Sequence, residues 1–239
     1  MFAVKTSKFR SKPALAIMIF TKRIATYFLF MVILSSCRSM AYFETPNDFR
    51  NMPAIVYLTN GRSYEGKLQV HTNHFSKSAV KLYAEGDKKP MRFNLDHIRG
   101  YELRNSYYEL KEIKGSVQLL KEYSFMKRLT PENSRLHLYE NTRKVARPGG
   151  KHTGSHVTYE TEYFLKIPGE GNTVWSLSSS RFVPNFDEKM SKLVADCPSL
   201  SAKISKKEDG YFYAQVSLLN ERRATVLLNI IEEYNRCGK

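Results

Sequence analysis

Two pairs of histidines stand out among the groups that could do chemistry. His152 and His156 are four residues apart in a glycine-rich stretch, and His71 and His74 are three apart in His-Thr-Asn-His. On one helix face a spacing of four can bring two imidazoles to a zinc ion. Here the surroundings read as loop and strand end, and no Asp or Glu lies between His152 and His156, so a solvated loop is expected and no metal. His97 and His137 sit singly in strand patterns and are expected at a sheet edge or surface. Gly154-Ser155-His156 lacks the G-x-S-x-G frame that raises a nucleophilic serine on a strained turn. Glu160 and Glu162 have the chemistry of a glycosidase pair. Two residues apart on a strand, they are also what a solvated face presents, and that is the expectation. No catalytic residue and no cofactor site is therefore expected. The best candidate contact surface is basic: Arg143, Lys144, Arg147 and Lys151 surround an Arg-Pro-Gly-Gly-Lys loop. Backbone and cations of such a loop can converge on a phosphate or carboxylate, which makes these four the candidate anion-binding residues.

The elements that position these groups are mostly strands. From Pro53 the pattern alternates. "AIVYLTNGRSYEGKLQV" is two runs around Asn60-Gly61, a hairpin signal that asks for positive φ at both turn positions. "AVKLYAE", the turn "GDKKP" and "MRFNLDHI" follow, the last with Met91, Phe93 and Leu95 on one face. Four short strands in this span predict a small, bent barrel of SH3-like or Sm-like type over residues 53–114. "GYELRNSYYELKEI" reads as a bridge to a second block, 115–239. There "SVQLLKEYSFMKRL", "RLHLYENTRKVA", "VTYETEYFLKI" and "TVWSLSSSRF" predict a four-stranded antiparallel meander. In the third of these, Val157, Tyr159, Tyr163, Leu165 and Ile167 share a face, and Trp175 is expected inward beside Leu177. The predicted fold class is α+β and β-rich, a small barrel followed by an antiparallel sheet with C-terminal helices. The small-barrel fold carries no activity by itself.

Helical spacing begins after Pro184. Phe186, Met190, Leu193, Val194 and Cys197 form one stripe, and Asn185 with Glu188 resembles a capping box. A second short helix is expected from Pro198. The last helix carries Ala224, Leu227, Leu228, Ile231 and Tyr234 on its apolar side and a Glu232–Arg236 pair.

The N-terminus addresses the chain. Ile24–Leu34 carries no charge but is shorter than the roughly 20 residues a membrane span needs. Lys22 and Arg23 precede it, as in a secretory signal. Leu34-Ser35-Ser36-Cys37 resembles the bacterial lipobox, which implies acylation of the Cys37 sulfur and cleavage before it. A start at Met18 would give a signal of ordinary length. Residues 1–36 are then the signal peptide, and 37–52, which show no periodicity, the lipidated tether. The chain of 239 residues has 38 Lys and Arg and 23 Asp and Glu, a net charge of +15. Six of the basic residues lie in 1–36, which holds no acidic one, so the mature part keeps about +9. That balance favours anionic partners. Fifteen Tyr and fourteen Phe exclude a disordered chain.

With Cys37 taken by lipid, Cys197 and Cys237 remain. In an oxidising compartment an even pair predicts a disulfide. "FDEKMSKLVADCPSLSAKI" followed by "IIEEYNRC" resembles the tail of uncharacterised exported proteins of Bacteroidetes-type bacteria. The resemblance covers about the last 55 residues and brings no activity with it. Some lipoproteins of that group carry an acidic export signal after the lipidated cysteine. Here Arg38-Ser39-Met40 follows, which points to an anchor in the outer membrane facing the periplasm. The expected function is a lipid-anchored binding or structural module for an envelope protein or an anionic glycan or lipid. The alternative is an envelope hydrolase whose site is assembled from residues distant in sequence. An exported chain does not meet nucleic acid.

Overall fold

A computed structural model describes residues 40–72, 79–87, 89–114, 122–148, 156–214 and 220–237. Among these residues, eleven strands and three α-helices follow in order. The strands are β1 Tyr42–Thr45, β2 Asp48–Leu58, β3 Ser63–His71, β4 Ala79–Tyr83, β5 Met91–Phe93, β6 Ile98–Leu103, β7 Ser106–Lys114, β8 Glu122–Arg128, β9 His137–Arg147, β10 His156–Lys166 and β11 Thr173–Ser176. The helices are α1 Phe186–Leu193, α2 Pro198–Ser205 and α3 Asn220–Arg236. The protein is thus a β-rich α+β fold, a large sheet of antiparallel pairs with helices at its C-terminal end. None of the described helices is long and apolar enough to cross a membrane.

The sheet runs β11-β10-β9-β8-β7-β6-β2-β3-β4-β5, with β1 paired to β2. One further pairing matters most. β11 also pairs with β7, in parallel, with Thr173 opposite Glu112 and Trp175 opposite Lys114. Strands β7 to β11 therefore hydrogen-bond in a ring. Ile113, Met126, Tyr139, Phe164 and Val174, one from each ring strand, pack together as its interior. The outer face of β9 and β10 gives Leu138, Leu165 and Ile167 to a second core, against the helices. Tyr108 and Leu110 of β7 and Phe125 of β8 face a third, which β2, β3, β4 and β6 complete. So β7 and β8 have apolar neighbours on both faces, and the polar residues interleaved on β7 are buried too.

Several local expectations change. The Asn60-Gly61 hairpin forms, but only Gly61 has positive φ. Its N–H donates to the Leu58 carbonyl, and Leu58 N–H donates to that of Arg62. This is a type I turn followed by a glycine bulge, not a turn with two left-handed residues. The two-residue turn with both φ positive is Arg104-Asn105, in the stretch read as a bridge, and it joins β6 to β7. "MRFNLDHI" is not one strand: β5 stops at Phe93, and Leu95–His97 is a 3-10 turn. The stretch read as a tether supplies β1 and the start of β2, and its Phe49 is fully buried. Asn47, between those strands, donates to Ser124 Oγ (2.9 Å) and accepts from Phe125 N–H (2.8 Å), which pins β1 and β2 to β8.

Among the helices, Asn185 has φ 66° and its side chain makes no cap bond, so the capping box does not form. Glu188 instead pairs with Lys192 at 2.7 Å. The α1 stripe and the Pro198 start of α2 are present. On α3, Leu228 is exposed, while Val226 and Ile230 join the core. The Glu232–Arg236 pair forms. Cys197 and Cys237 are bonded, with Cα atoms 5.8 Å apart, and tie the start of α2 to the end of α3.

Gly100 on β6 shows how close β7 runs. A Cβ there would stand 2.3 Å from the Tyr108 carbonyl oxygen and 3.2 Å from Glu109 Cα, both backbone atoms that cannot swing aside. Gly100→Ala is expected to cost about 1–3 kcal/mol of stability, the usual range for overpacking. Urea unfolding would check it, and an unchanged midpoint would contradict the close approach.

Candidate functional site

Among the described residues, a strongly charged cleft lies at one end of the ring. A cleft of about 480 Å3 opens there between ring residues and Thr59, Ile98 and Arg99 of the first half. Its centre is Glu109 of β7, only 7% exposed. Alternation puts Tyr108 and Leu110 into the apolar core on one face of β7 and Glu109 and Lys111 together on the other, toward the ring interior. A buried carboxylate is tolerated only if it is paired and hydrogen-bonded, and this one is both. Its Oε2 accepts from Lys111 Nζ at 2.9 Å and from the Tyr139 hydroxyl at 2.5 Å. Its Oε1 accepts from Arg128 Nη1 at 3.2 Å.

The donors are themselves held. Lys111 Nζ donates to Asn172 Oδ1 (2.9 Å), and Asn172 Nδ2 donates to the Leu110 carbonyl (2.8 Å). The Arg128 guanidinium lies over the Tyr107 ring, 4.7 Å from its centroid. Farther out, Arg99 pairs with Glu132 at 2.5 Å. Lys166 makes no ion pair among the described residues and lines the cleft beside His137, its cross-strand partner. Four cations (Arg99, Lys111, Arg128, Lys166) thus face two carboxylates, Glu109 and Glu132.

Protonation follows from these contacts. Burial pushes the Glu109 carboxyl up, but Lys111, the Tyr139 hydroxyl and Arg128 outweigh it and hold the group below its ordinary value. Burial lowers Lys111 against the pull of Glu109. Burial first, then Glu109, raises Tyr107 to about 12 and drives Tyr139 well above the phenol range. Burial, with Lys166, Arg128 and Lys111 nearby, keeps His137 below 6.5 despite Glu109. At neutral pH the cleft therefore presents a fixed carboxylate, neutral phenols and imidazole, and fixed cations. Glu109 has no proton to give and little basicity to accept one. What the arrangement does is offer excess positive charge in a partly desolvated space.

The His137 shift has a consequence. The unfolded chain takes up a proton that the folded chain resists, so stability falls as pH drops through the usual imidazole range. Urea midpoints measured between about pH 7.5 and 5.5 should show that decline. His137→Gln should flatten it, and an identical slope in the variant would contradict the assignment.

The residues singled out in the sequence lie elsewhere. Arg143 and Arg147 on β9 share Glu160 of β10, at 3.4 and 2.5 Å, and Lys144 pairs with Glu44 of β1. The structure does not gather these three onto one free surface: cross-strand register puts Arg143 with Glu160 and Lys144 with Tyr159, on opposite faces. Lys151, His152, His74 and Cys37 lie outside the described residues. His71 stands 3.5 Å from Asp48, His97 is in the exposed 3-10 turn, and His156 is exposed at the start of β10. His137, expected at an edge, instead lines the cleft. Glu162 bonds Ser176 and not a second carboxylate. Val157 and Tyr159 share the face of Leu165 but stay exposed, outside the core that Leu165 joins. No group of three or more His, Cys, Asp or Glu side chains among the described residues is placed to hold a metal. No family model matches the chain, and neither the curated proteins nor the solved structures contain a match.

Proposed function

We propose that the protein is a lipid-anchored component of a bacterial cell envelope whose folded part binds an anionic glycan in the cleft around Glu109. The observation that carries the binding half is the excess of cations there, with Lys166 left without a carboxylate among the described residues. A volume of about 480 Å3 falls within the size range of small-ligand sites and suits one or two sugar units. Carboxylates or phosphates on the sugar would take the place of the missing counter-charges. No nucleophile–base pair accompanies the cations among the described residues, which favours binding over hydrolysis.

The anchoring half is supported by Leu34-Ser35-Ser36-Cys37 at the end of an uncharged run and by the resemblance of the tail to exported lipoproteins. The Cys197–Cys237 bond agrees with an oxidising compartment. Arg38-Ser39-Met40 favours the periplasmic side of the outer membrane. The finer reading of residues 53–114 as a small SH3-like or Sm-like barrel belongs to the same proposal, supported by the short strands β3 to β6 around their own core.

Metabolic labelling with a palmitate analogue tests the anchor. The expected result is a label on the wild-type protein in the membrane fraction and none on Cys37→Ala. Unlabelled, unprocessed wild-type protein in the cytosol would sink the placement.

A further inference from the structure

We propose that the edge formed by β1 and the β9–β10 hairpin lies against the surface of an anionic bilayer. This rests on the lipid anchor proposed above. Only four residues, 38–41, separate Cys37 from β1. A chain that short reaches about 18 Å at full extension. A protein held at Cys37 therefore keeps Tyr42 near the headgroups whatever its orientation, and the residues around Tyr42 decide which side faces them.

Those residues suit an interface. Tyr42 is 47% exposed, Tyr159 56% and Val157 49%, more than Phe43 and Tyr123, the other exposed large apolar groups on the described strands. They belong together: the Tyr159 hydroxyl donates to Glu44 Oε1 at 3.2 Å, and Lys144, opposite Tyr159 in the ladder, pairs with the same carboxylate. Tyrosines with an apolar body and polar tip collect at the headgroup level of membranes.

The outermost charge at this edge is positive. The Glu44 side chain is 7% exposed and its partner Lys144 47%. Arg50, the cross-strand neighbour of Tyr42, is exposed as well. The carboxylate is recessed and the cations stand forward. Lipid phosphates would meet Lys144 and Arg50 first. This gives Lys144 and Arg50 a partner distinct from the ligand of the cleft.

The test uses the lipidated protein in vesicles of phosphatidylcholine with phosphatidylglycerol. Trp175→Phe removes the native indole, and Tyr159→Trp places one on the proposed contact. Lipids brominated near the top of the acyl chain should quench the introduced indole about threefold more than they quench Trp175 in the parent, since interfacial aromatics sit at that depth. Adding Arg50→Gln and Lys144→Gln should remove the excess. Val157→Trp reports the same face should Tyr159→Trp fold poorly. Equal quenching of the two indoles in protein whose intact mass shows lipid on Cys37 would overturn the contact alone. Excess quenching without lipid would overturn the anchor and leave the contact standing. Neither lipid nor excess quenching would overturn both.

Discussion

Glu109→Ala is expected to lower the unfolding free energy by about 3–5 kcal/mol, the usual cost of removing one partner from a buried ion pair. The substitution leaves Lys111 Nζ, the Arg128 guanidinium and the Tyr139 hydroxyl facing a void where they met a carboxylate. Lys111, whose side chain is 6% exposed, would keep only the neutral Asn172 Oδ1 as a hydrogen-bond partner in place of the lost charge. Replacing both partners separates that penalty from the worth of the pair. Glu109→Leu with Lys111→Met should recover much of the loss, because apolar groups of similar volume do as well in such a place as a paired charge. Equilibrium urea unfolding of the three proteins measures both effects. A Glu109→Ala protein as stable as the parent would mean that the carboxylate is not the keystone of the ring. The pH dependence carries the same information. The folded carboxyl lies below its unfolded value, so its contribution is complete above the ordinary carboxylate range and is lost as pH falls toward the folded value. Glu109→Gln should lack that acid limb.

Reduction of Cys197–Cys237 should cost about 4 kcal/mol, the chain-entropy value for a loop of this length. For a chain of this size that corresponds to a fall in Tm of roughly 10 °C. The bond closes a separation of 40 residues that includes the whole of α2 and α3. The fold should survive its loss, because the same junction is held a second way. Tyr234 donates to Asp196 Oδ1 (2.7 Å), and the Arg135 guanidinium sits over the Tyr234 ring (3.6 Å) and also bonds Asp196. Thermal unfolding with and without reductant, and of Cys197→Ser/Cys237→Ser, would show the lowered Tm with an unchanged circular dichroism spectrum before melting. An unchanged Tm would contradict a constraining role for the bond.

Periodicity made much of this architecture legible. The β-rich character, the hairpin at Gly61, the β8–β11 meander and the apolar stripes of α1 and α3 all follow from local spacing, and the cysteine pairing from the even pair left once Cys37 is set aside. The ring did not, because its closing contact is one short parallel pairing, β7 with β11, between strands far apart in sequence. Nor did the cleft. Tyr108-Glu109-Leu110-Lys111 alternates apolar and charged residues, and alternation alone reads as one solvated face. Only the ring makes both faces of β7 interior, which turns Glu109 and Lys111 from surface residues into a buried pair. The one available signal was an acid and a base two apart, on a single strand face. The basic loop drew attention by density of charge, yet Glu160 and Glu44 offset it from neighbouring strands, and strand register cannot be read from one segment.

The central claim is that the cleft around Glu109 takes an acidic sugar. Calorimetric titration of the mature protein with a short oligouronate tests it most directly. Saturable binding that weakens steeply with salt is predicted, with about a tenfold loss for Lys166→Ala, in line with a charge-assisted contact. Arg143→Gln/Arg147→Gln, far from the cleft lining, should bind as the parent does. Absence of binding, or binding indifferent to Lys166, would contradict the claim.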